Sequence, residues 1–497
     1  MPSNIGGLAM ASNNTVPKDL GLIQLKRYAD DLLARPAQAH LDIDALEPQL
    51  QPLGKSLEAL GYALGHNAAS NGPQSNQSDP VDTLTGLLRA SDFLRVARDK
   101  VAAEPHRQWA VASIDLGHLR LFNEWHGTRT GDELLAQIGE AMRSFHTRHG
   151  GIAGYWGQDD FSALLPSDDA TVKELFAAVS DAVARHDDSI GFLPAMGVYP
   201  LAQNETVGIN QYDRAAFTAR QAKHSLDERV LYFCPADYHK AQEENNILLD
   251  FQQAMAHGDV SFHLQAQAET STGRIAGAEA LARWRTAGGY LSPAAFIPVL
   301  EKTGFVTALD KEVWRQVIQW VAESLAKNKP VVPVSINVSR ADVEGIDVAA
   351  HLLDLIDSHG VPHDMVRIEI TESAYTEDTE LVTALVDRLH DAGFLVLMDD
   401  FGSGQSSLSM LKTVDVDAIK LDGGFMSHNK DVKGTSIVES VINLATSLSI
   451  PVVAEGVETD EQLQMLKNLG CSYVQGFRFA RPLPADEFAN MLAERDC

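Results

Sequence analysis

The C-terminal half of this 497-residue chain is organised by one repeated feature. From about residue 260 onward, short apolar runs recur at helix-length intervals: one around Phe262 to Ala266, then IAGAEAL, PVVPVSINV, MVRIEIT, FLVLMDD, VDAIKLD, IPVVAEG and YVQGF. Several are Val- and Ile-rich throughout instead of alternating, which is how strands covered on both faces read. The stretches between them, such as ELVTALVDRLHDAG and GTSIVESVINLATSLS, carry helical periodicity. Eight strand-plus-helix units in this length predict a TIM-type barrel.

What ends each run predicts the chemistry. Glu279 ends the second, Asn337 the third, Glu369 the fourth, Asp399 and Asp400 the fifth, Lys420 and Asp422 the sixth, Glu455 the seventh and Gln475 the eighth. In a parallel barrel such ends converge at the C-terminal mouth, where the active sites of this fold are built. A single acidic residue after a strand is usually a helix cap or a solvated loop residue. A whole set in register is harder to explain that way, because the carboxylates would repel unless cations neutralised them. Oxygen donors without His or Cys select hard ions such as Mg²⁺, Mn²⁺ or Ca²⁺. The adjacent pair Asp399-Asp400 suits two ions about 3.5–4 Å apart, one carboxylate bridging and its neighbour completing the second shell. Near such ions Lys420 can hold a nucleophilic water, accept its proton or neutralise charge developing on phosphorus. The set describes a phosphodiester hydrolysis site.

The rest of the chain reads as three pieces. Residues 1–67 form a helical region, in which Leu46, Leu50, Leu53, Leu57, Leu60 and Leu64 make one apolar stripe interrupted by Pro48 and Pro52. A small helical hairpin fits it better than a dimer seam. Residues 68–80, polar and bearing Gly and Pro, read as a linker. Residues 81–238 alternate WAVASIDL and DFSALLP, as strands, with GDELLAQIGEAMRSF and TVKELFAAVSDAVARH, as helices, which predicts an α+β domain. The barrel domain then spans 239–497. Lys plus Arg number 40 against 68 Asp plus Glu, a net charge of −28 that argues against nucleic-acid binding. Cys234, Cys471 and Cys497 are too far apart for a thiolate zinc motif or a disulfide framework. With no basic-apolar leader and no long apolar run, the expectation is a cytoplasmic protein that does not enter a membrane.

Glu279-Ala280-Leu281-Ala282-Arg283-Trp284 resembles the signature of the EAL family of cyclic di-GMP phosphodiesterases, as do INVSR, EITES, MDDFGSGQSSL, IKLD, VVAEGVET and QGFRFARPLP. The likeness covers roughly residues 245–495, in the family's order. It implies a TIM-like (βα)8 barrel with one antiparallel strand and Mg²⁺- or Mn²⁺-dependent hydrolysis of cyclic di-GMP to linear pGpG. It also implies roles for single residues. Glu279, Asn337, Glu369 and Asp399 resemble the ligands of one metal, and Asp399 with Asp400 those of the other. Lys420 resembles the catalytic lysine, and Glu455 and Gln475 groups that help hold the reacting water. Arg283 resembles a substrate phosphate contact, and Gln265, Gln475 and Asp422 also stand at substrate-facing positions. Glu372 resembles the residue anchoring the loop after Asp400. The chain departs from the family at Gln405, where tyrosine is usual, at Ala266, where proline is, and at Gly423-Gly424, where Arg-Ser is. No departure removes a metal ligand. The competing reading is a receptor that holds cyclic di-GMP without cleaving it and signals to a protein partner.

The middle domain resembles a degenerate GGDEF domain of the diguanylate cyclase family, α+β and nucleotidyl-cyclase-like. DTLTGLL at 82–88 matches its opening, and Asp115, Asn123 and Asp132 fall where the family places a metal ligand and two guanine contacts. Gly157-Gln158-Asp159-Asp160-Phe161 replaces Gly-Gly-Asp-Glu-Phe, Gly117 stands where a second aspartate is usual, and Arg220 where a lysine is. The resemblance therefore implies a regulatory module that binds GTP through Asp115, Asn123, Asp132 and Asp159, without cyclase activity; the expected assembly is a homodimer.

Overall fold

The computed structural model describes residues 79–187, 192–225, 228–402, 410–411, 413–427 and 432–495. The expected N-terminal helical region with its leucine stripe, most of the linker, Gln405 and Cys497 lie outside the described residues. Two compact units divide at Phe233/Cys234. The division falls five residues before the expected boundary at 239, because Pro235, at the first turn of the helix Pro235–His257, starts that helix early.

The first unit is one six-stranded sheet: β1 (Leu88–Arg89), β2 (Trp109–Leu116), β3 (Ile152–Gly157), β4 (Asp160–Pro166), β5 (Pro194–Pro200) and β6 (Val230–Tyr232), in the order β1-β3-β4-β2-β5-β6. Strand β2 runs antiparallel to both its neighbours, β4 and β5. Its alternation feeds two cores. Ala110, Ala112 and Ile114 pack under the helices Thr128–His149 and Asp169–Ala184, while Trp109 and Val111 meet Phe93, Tyr212 and Ala215 of the helices Ala90–Ala103 and Ile209–Lys223. The acidic end of β2 is thereby brought beside the β3–β4 turn, where the Leu116 N–H donates to the Asp159 carbonyl at 3.2 Å.

The second unit contains every strand expected from the apolar runs: β7 (Val260–Glu269), β8 (Ile275–Thr286), the short β9 (Gly289–Leu291), β10 (Val334–Val338), β11 (Val366–Thr371), β12 (Leu395–Phe401), β13 (Ala418–Leu421), β14 (Val452–Ala454), β15 (Tyr473–Gln475) and the short β16 (Leu483–Pro484). Strands β8 and β10 to β15 pair in parallel, and β7 closes the ring by pairing antiparallel with both β8 and β15. The result is a closed eight-stranded barrel with one reversed strand. Its outer layer follows the helical period; in the helix Val306–Ala326 the buried positions Val306, Leu309, Val313, Val317 and Val321 recur every three or four residues, with Trp314 beside them, and lie against the sheet.

Glu279 does not end its strand, since β8 continues to Thr286 and turns back as β9. Glu279 is a mid-strand residue facing the barrel interior, opposite Gln265 of β7.

Candidate active site

Strand register assembles the site before any side chain is considered. Gln265 lies opposite Glu279, Asn337 opposite Glu369, Thr371 opposite Asp399, and Gln267 opposite Gln475. Side chains alternate across a strand, so these positions all carry polar groups to the interior side of the barrel, at successive levels.

At the centre is Lys420 of β13, 1 % exposed. Its Nζ lies 2.6 Å from Glu369, 2.8 Å from Glu455, 3.0 Å from Asp399 and 3.1 Å from Glu279. Burial alone would discharge this ammonium, but Asp399, Glu279, Glu369 and Glu455 hold its pKa well above the usual lysine value. The carboxylates are outnumbering partners. Burial raises Glu369 well above the ordinary range, and Glu279 and Asp399 raise it further. Glu455 is pushed up to about 7, first by burial and then by Glu279 and Asp399 against the pull of Lys420. Glu279 moves the other way: burial pushes it up, but Lys420 and hydrogen bonds from Gln475 (2.6 Å) and Asn337 (3.2 Å) outweigh that.

Asp400 is placed by backbone irregularity. The register slips between Met398 and Phe401, and Asp400 sits at φ +56°. A bulge of this kind breaks the strict alternation that would send consecutive residues to opposite faces, and Asp tolerates the left-handed region better than most residues. Burial, then the charges of Asp399 and Asp422, push its carboxyl up to about 6. The next turn is fixed by buried Glu372, whose Oε2 accepts the N–H of Gly402 at 2.8 Å; Gly402 is at φ +96°, where a side chain would be strained.

The remaining expected residues lie around this centre. Gln475 is buried and also donates to Gln265 at 3.3 Å, while Gln265 donates to the Ala480 carbonyl at 3.4 Å. Asp422 accepts from the Gly424 N–H at 2.6 Å; a Cβ on Gly424 would lie 2.5 Å from that oxygen, so the Gly423-Gly424 departure shapes this turn. Arg283 is half-buried on the same strand as Glu279, four residues on, and donates to the Ala282 carbonyl at 2.8 Å.

Two contributors escape the strand-end reasoning. Gln267, 1 % exposed, donates to Gln475 at 3.1 Å and reaches Glu369 at 3.5 Å. Its signal is the Gln265-x-Gln267 spacing, which puts both amides on one face of β7. Trp314 donates its indole N–H to the Asn337 carbonyl at 2.9 Å, fixing the end of β10 from outside the barrel; nothing local in the sequence marks it.

The donor set could hold a divalent cation. One atom each of Glu279, Glu369 and Asp399 can lie within ligand distance of a shared ion. Five carboxylates, with Glu455 and Asp400, face a single lysine, an imbalance that in a low-dielectric interior calls for further positive charge.

In the first unit, Asp115 at the end of β2 meets Lys223 at 2.6 Å, a partner the sequence reading did not identify. Asp159 lies in the β3–β4 turn, where Gln158 takes φ +54°. Asn123 is half-buried, its Oδ1 buried and unpartnered and lodged where Gly131 lacks a Cβ, while Asp132 is exposed.

Residues 249–482 match the family model of the EAL domain, and residues 80–224 that of the diguanylate cyclase, GGDEF domain. The chain carries a GGDEF domain followed by an EAL domain. It is similar to an uncharacterized signaling protein of Caulobacter vibrioides, 32 % identical over 82 % of this chain and 51 % of the relative. It is similar also to the bifunctional diguanylate cyclase/cyclic di-GMP phosphodiesterase MucR of Pseudomonas aeruginosa, 28 % identical over 89 % of this chain and 66 % of the relative. The chain thus spans about half to two thirds of the length of these relatives. A solved structure of the PaMucR phosphodiesterase in complex with c-di-GMP is 29 % identical, covers 49 % of this chain and 99 % of that one, and aligns with a TM-score of 0.47. Among the described residues no helix is long and apolar enough to cross a membrane.

Proposed function

We propose that the EAL domain hydrolyses cyclic di-GMP to linear pGpG, and that the GGDEF domain binds a guanine nucleotide and regulates it without cyclase activity. The observation carrying the first part is the convergence of Glu279, Glu369, Asp399 and Glu455 on Lys420, all within 3.1 Å. The names of related proteins, MucR and the cyclic di-GMP phosphodiesterase NbdA of Pseudomonas aeruginosa, support the same substrate.

Glu279, Asn337, Glu369, Asp399 and Asp400 would hold two Mg²⁺ or Mn²⁺ ions, which supply Lewis-acid stabilisation of the phosphoryl oxygens and a nucleophile available near neutral pH. The protein's own groups do the rest. Lys420, held charged by its carboxylates, stabilises negative charge building on phosphorus. Glu455, 2.8 Å from Lys420 at the same cluster, would take a proton from the attacking water. Gln475 and Gln267 fix the orientation of Glu279 and Glu369, and Arg283 would contact a substrate phosphate, with Asp422 a further substrate contact. Glu372 tethers the start of the loop after Asp400.

The test is to incubate the full chain with cyclic di-GMP and Mg²⁺ or Mn²⁺ and resolve the products by HPLC. Appearance of pGpG is expected; tight binding of intact cyclic di-GMP with no product under either metal would favour the receptor reading. The regulatory part requires that a nucleotide favour one state of the catalytic domain over another. Saturating GTP is expected to change the rate or KM, and an unchanged rate and KM would reject it.

A further inference from the structure

The GGDEF domain has its own carboxylate cluster, and there the donor set does not fit the divalent ion that the family resemblance implies. Asp115 Oδ1 lies 2.6 Å from Lys223 Nζ, with the two side chains 13 % and 28 % exposed. A Mg²⁺ held by this carboxylate would lie within a few ångströms of the ammonium and be repelled by it, with little excess of neighbouring carboxylates to offset that. The second aspartate expected nearby is Gly117, which offers no side-chain donor. At the glutamate position of the signature stands Asp160, one methylene shorter.

Asp115, Asp159 and Asp160 influence one another, and Lys223 acts on both Asp159 and Asp160, with Arg220 adding to it at Asp160. Three carboxyls share two cations, with Arg220 also serving Asp213, a smaller negative excess than in the barrel. In the EAL barrel, five carboxylates face one lysine. Lys223 is also fixed where it stands. It occupies the last turn of the helix Ile209–Lys223, a favourable end for a cation, and its carbonyl accepts Arg229 Nη1 at 3.2 Å.

We propose that Lys223 is a built-in counter-ion in the place of a divalent cation, so that this pocket takes no metal and the guanine nucleotide binds through its base, at Asn123 and Asp132, independently of Mg²⁺. With no metal to bridge them, the outer phosphates meet the acidic cluster unassisted, so GTP gains no affinity over GDP. The nucleotide half of this rests on the GTP-binding reading above; the cation half stands without it.

Two measurements on the full chain test the two halves separately. Counting bound Mn²⁺ by EPR titration is expected to give one more ion per chain in Lys223→Met than in the wild type, and the wild-type count in Lys223→Arg. Equal counts in wild type and Lys223→Met, with circular dichroism showing the variant folded, would overturn the counter-ion role, as would an extra ion in Lys223→Arg. Calorimetric titration of GTP and GDP is expected to give the same affinity in EDTA and in Mg²⁺. Binding that requires Mg²⁺ would overturn metal-independence. No binding of either nucleotide under any condition would instead reject the GTP-binding reading, while the Mn²⁺ count still decides the role of Lys223.

Discussion

In the EAL barrel one buried lysine touches four carboxylates; in the GGDEF sheet one partly buried lysine touches a single aspartate. The pairs look alike locally, and the difference is in the balance around them. Lys420 cannot neutralise its surroundings, so that site has carboxylates left over that a divalent cation could take up. Lys223 nearly can, so its site is already complete. An acidic cluster in a structure therefore says little about metal until the cations that share its burial are counted.

The largest expected effect falls on Lys420. Lys420→Ala should lower the hydrolysis rate by about 10²–10³-fold, the usual consequence of removing a group that stabilises developing charge. It should also make the fold depend on metal, because unpaired buried carboxylates destabilise by roughly 3–5 kcal/mol. Thermal melts in EDTA and in Mg²⁺ would show a much larger gap for the variant than for the wild type; an equal gap would mean that Lys420 does not neutralise the cluster.

Next comes the response of the two units to metal and pH. In the EAL site Glu455 is raised to about 7 and Asp400 to about 6, so the folded state binds protons that the unfolded chain has released. Stability of the metal-free protein from these groups is present below their ordinary pKa values and is lost as pH rises from about 4 to 7. Mg²⁺ at 100 times its dissociation constant should restore about 3 kcal/mol and flatten that slope. A metal-free melting temperature that rises over this window would count against it.

Gln475→Ala comes third. It removes the hydrogen bond that orients Glu279 without touching Lys420, and should lower metal affinity or activity by about 10–100-fold, measured as a shifted Mg²⁺ dependence of the rate.

The smallest effect belongs to the GGDEF unit and has the opposite sign. Burial lowers His146 to about 4, so the unfolded chain takes up the proton first. The stability it contributes is present above about pH 6.5 and lost as pH falls toward 4, on the order of 1–2 kcal/mol after relaxation. His146→Gln should remove this acid sensitivity in chemical denaturation of the GGDEF unit while leaving the EAL slope unchanged.

The barrel and most of its site were legible for one reason: strands buried on both faces must be apolar throughout, so a polar residue within or just after them is conspicuous. Glu369, Asp399, Lys420 and Glu455 stand out in this way. Glu279 was found although its strand runs on past it, because IAGAEAL already marked it as the polar residue of an apolar run. What stayed hidden depended on contacts between distant segments. Gln267 lies in a strand whose two glutamines look interchangeable, and only register with β15 sets it against Gln475. Lys223 looks like any cation ending a surface helix, and Asp115 lies 108 residues away in sequence.

By itself the sequence determined the eight strands, the reversed first one through family resemblance, and the oxygen-rich donor set, because burial and period are written locally in residue type. Only the tertiary structure decided which cation faces which carboxylate, since electrostatic balance depends on distances of a few ångströms between elements that the chain order keeps far apart.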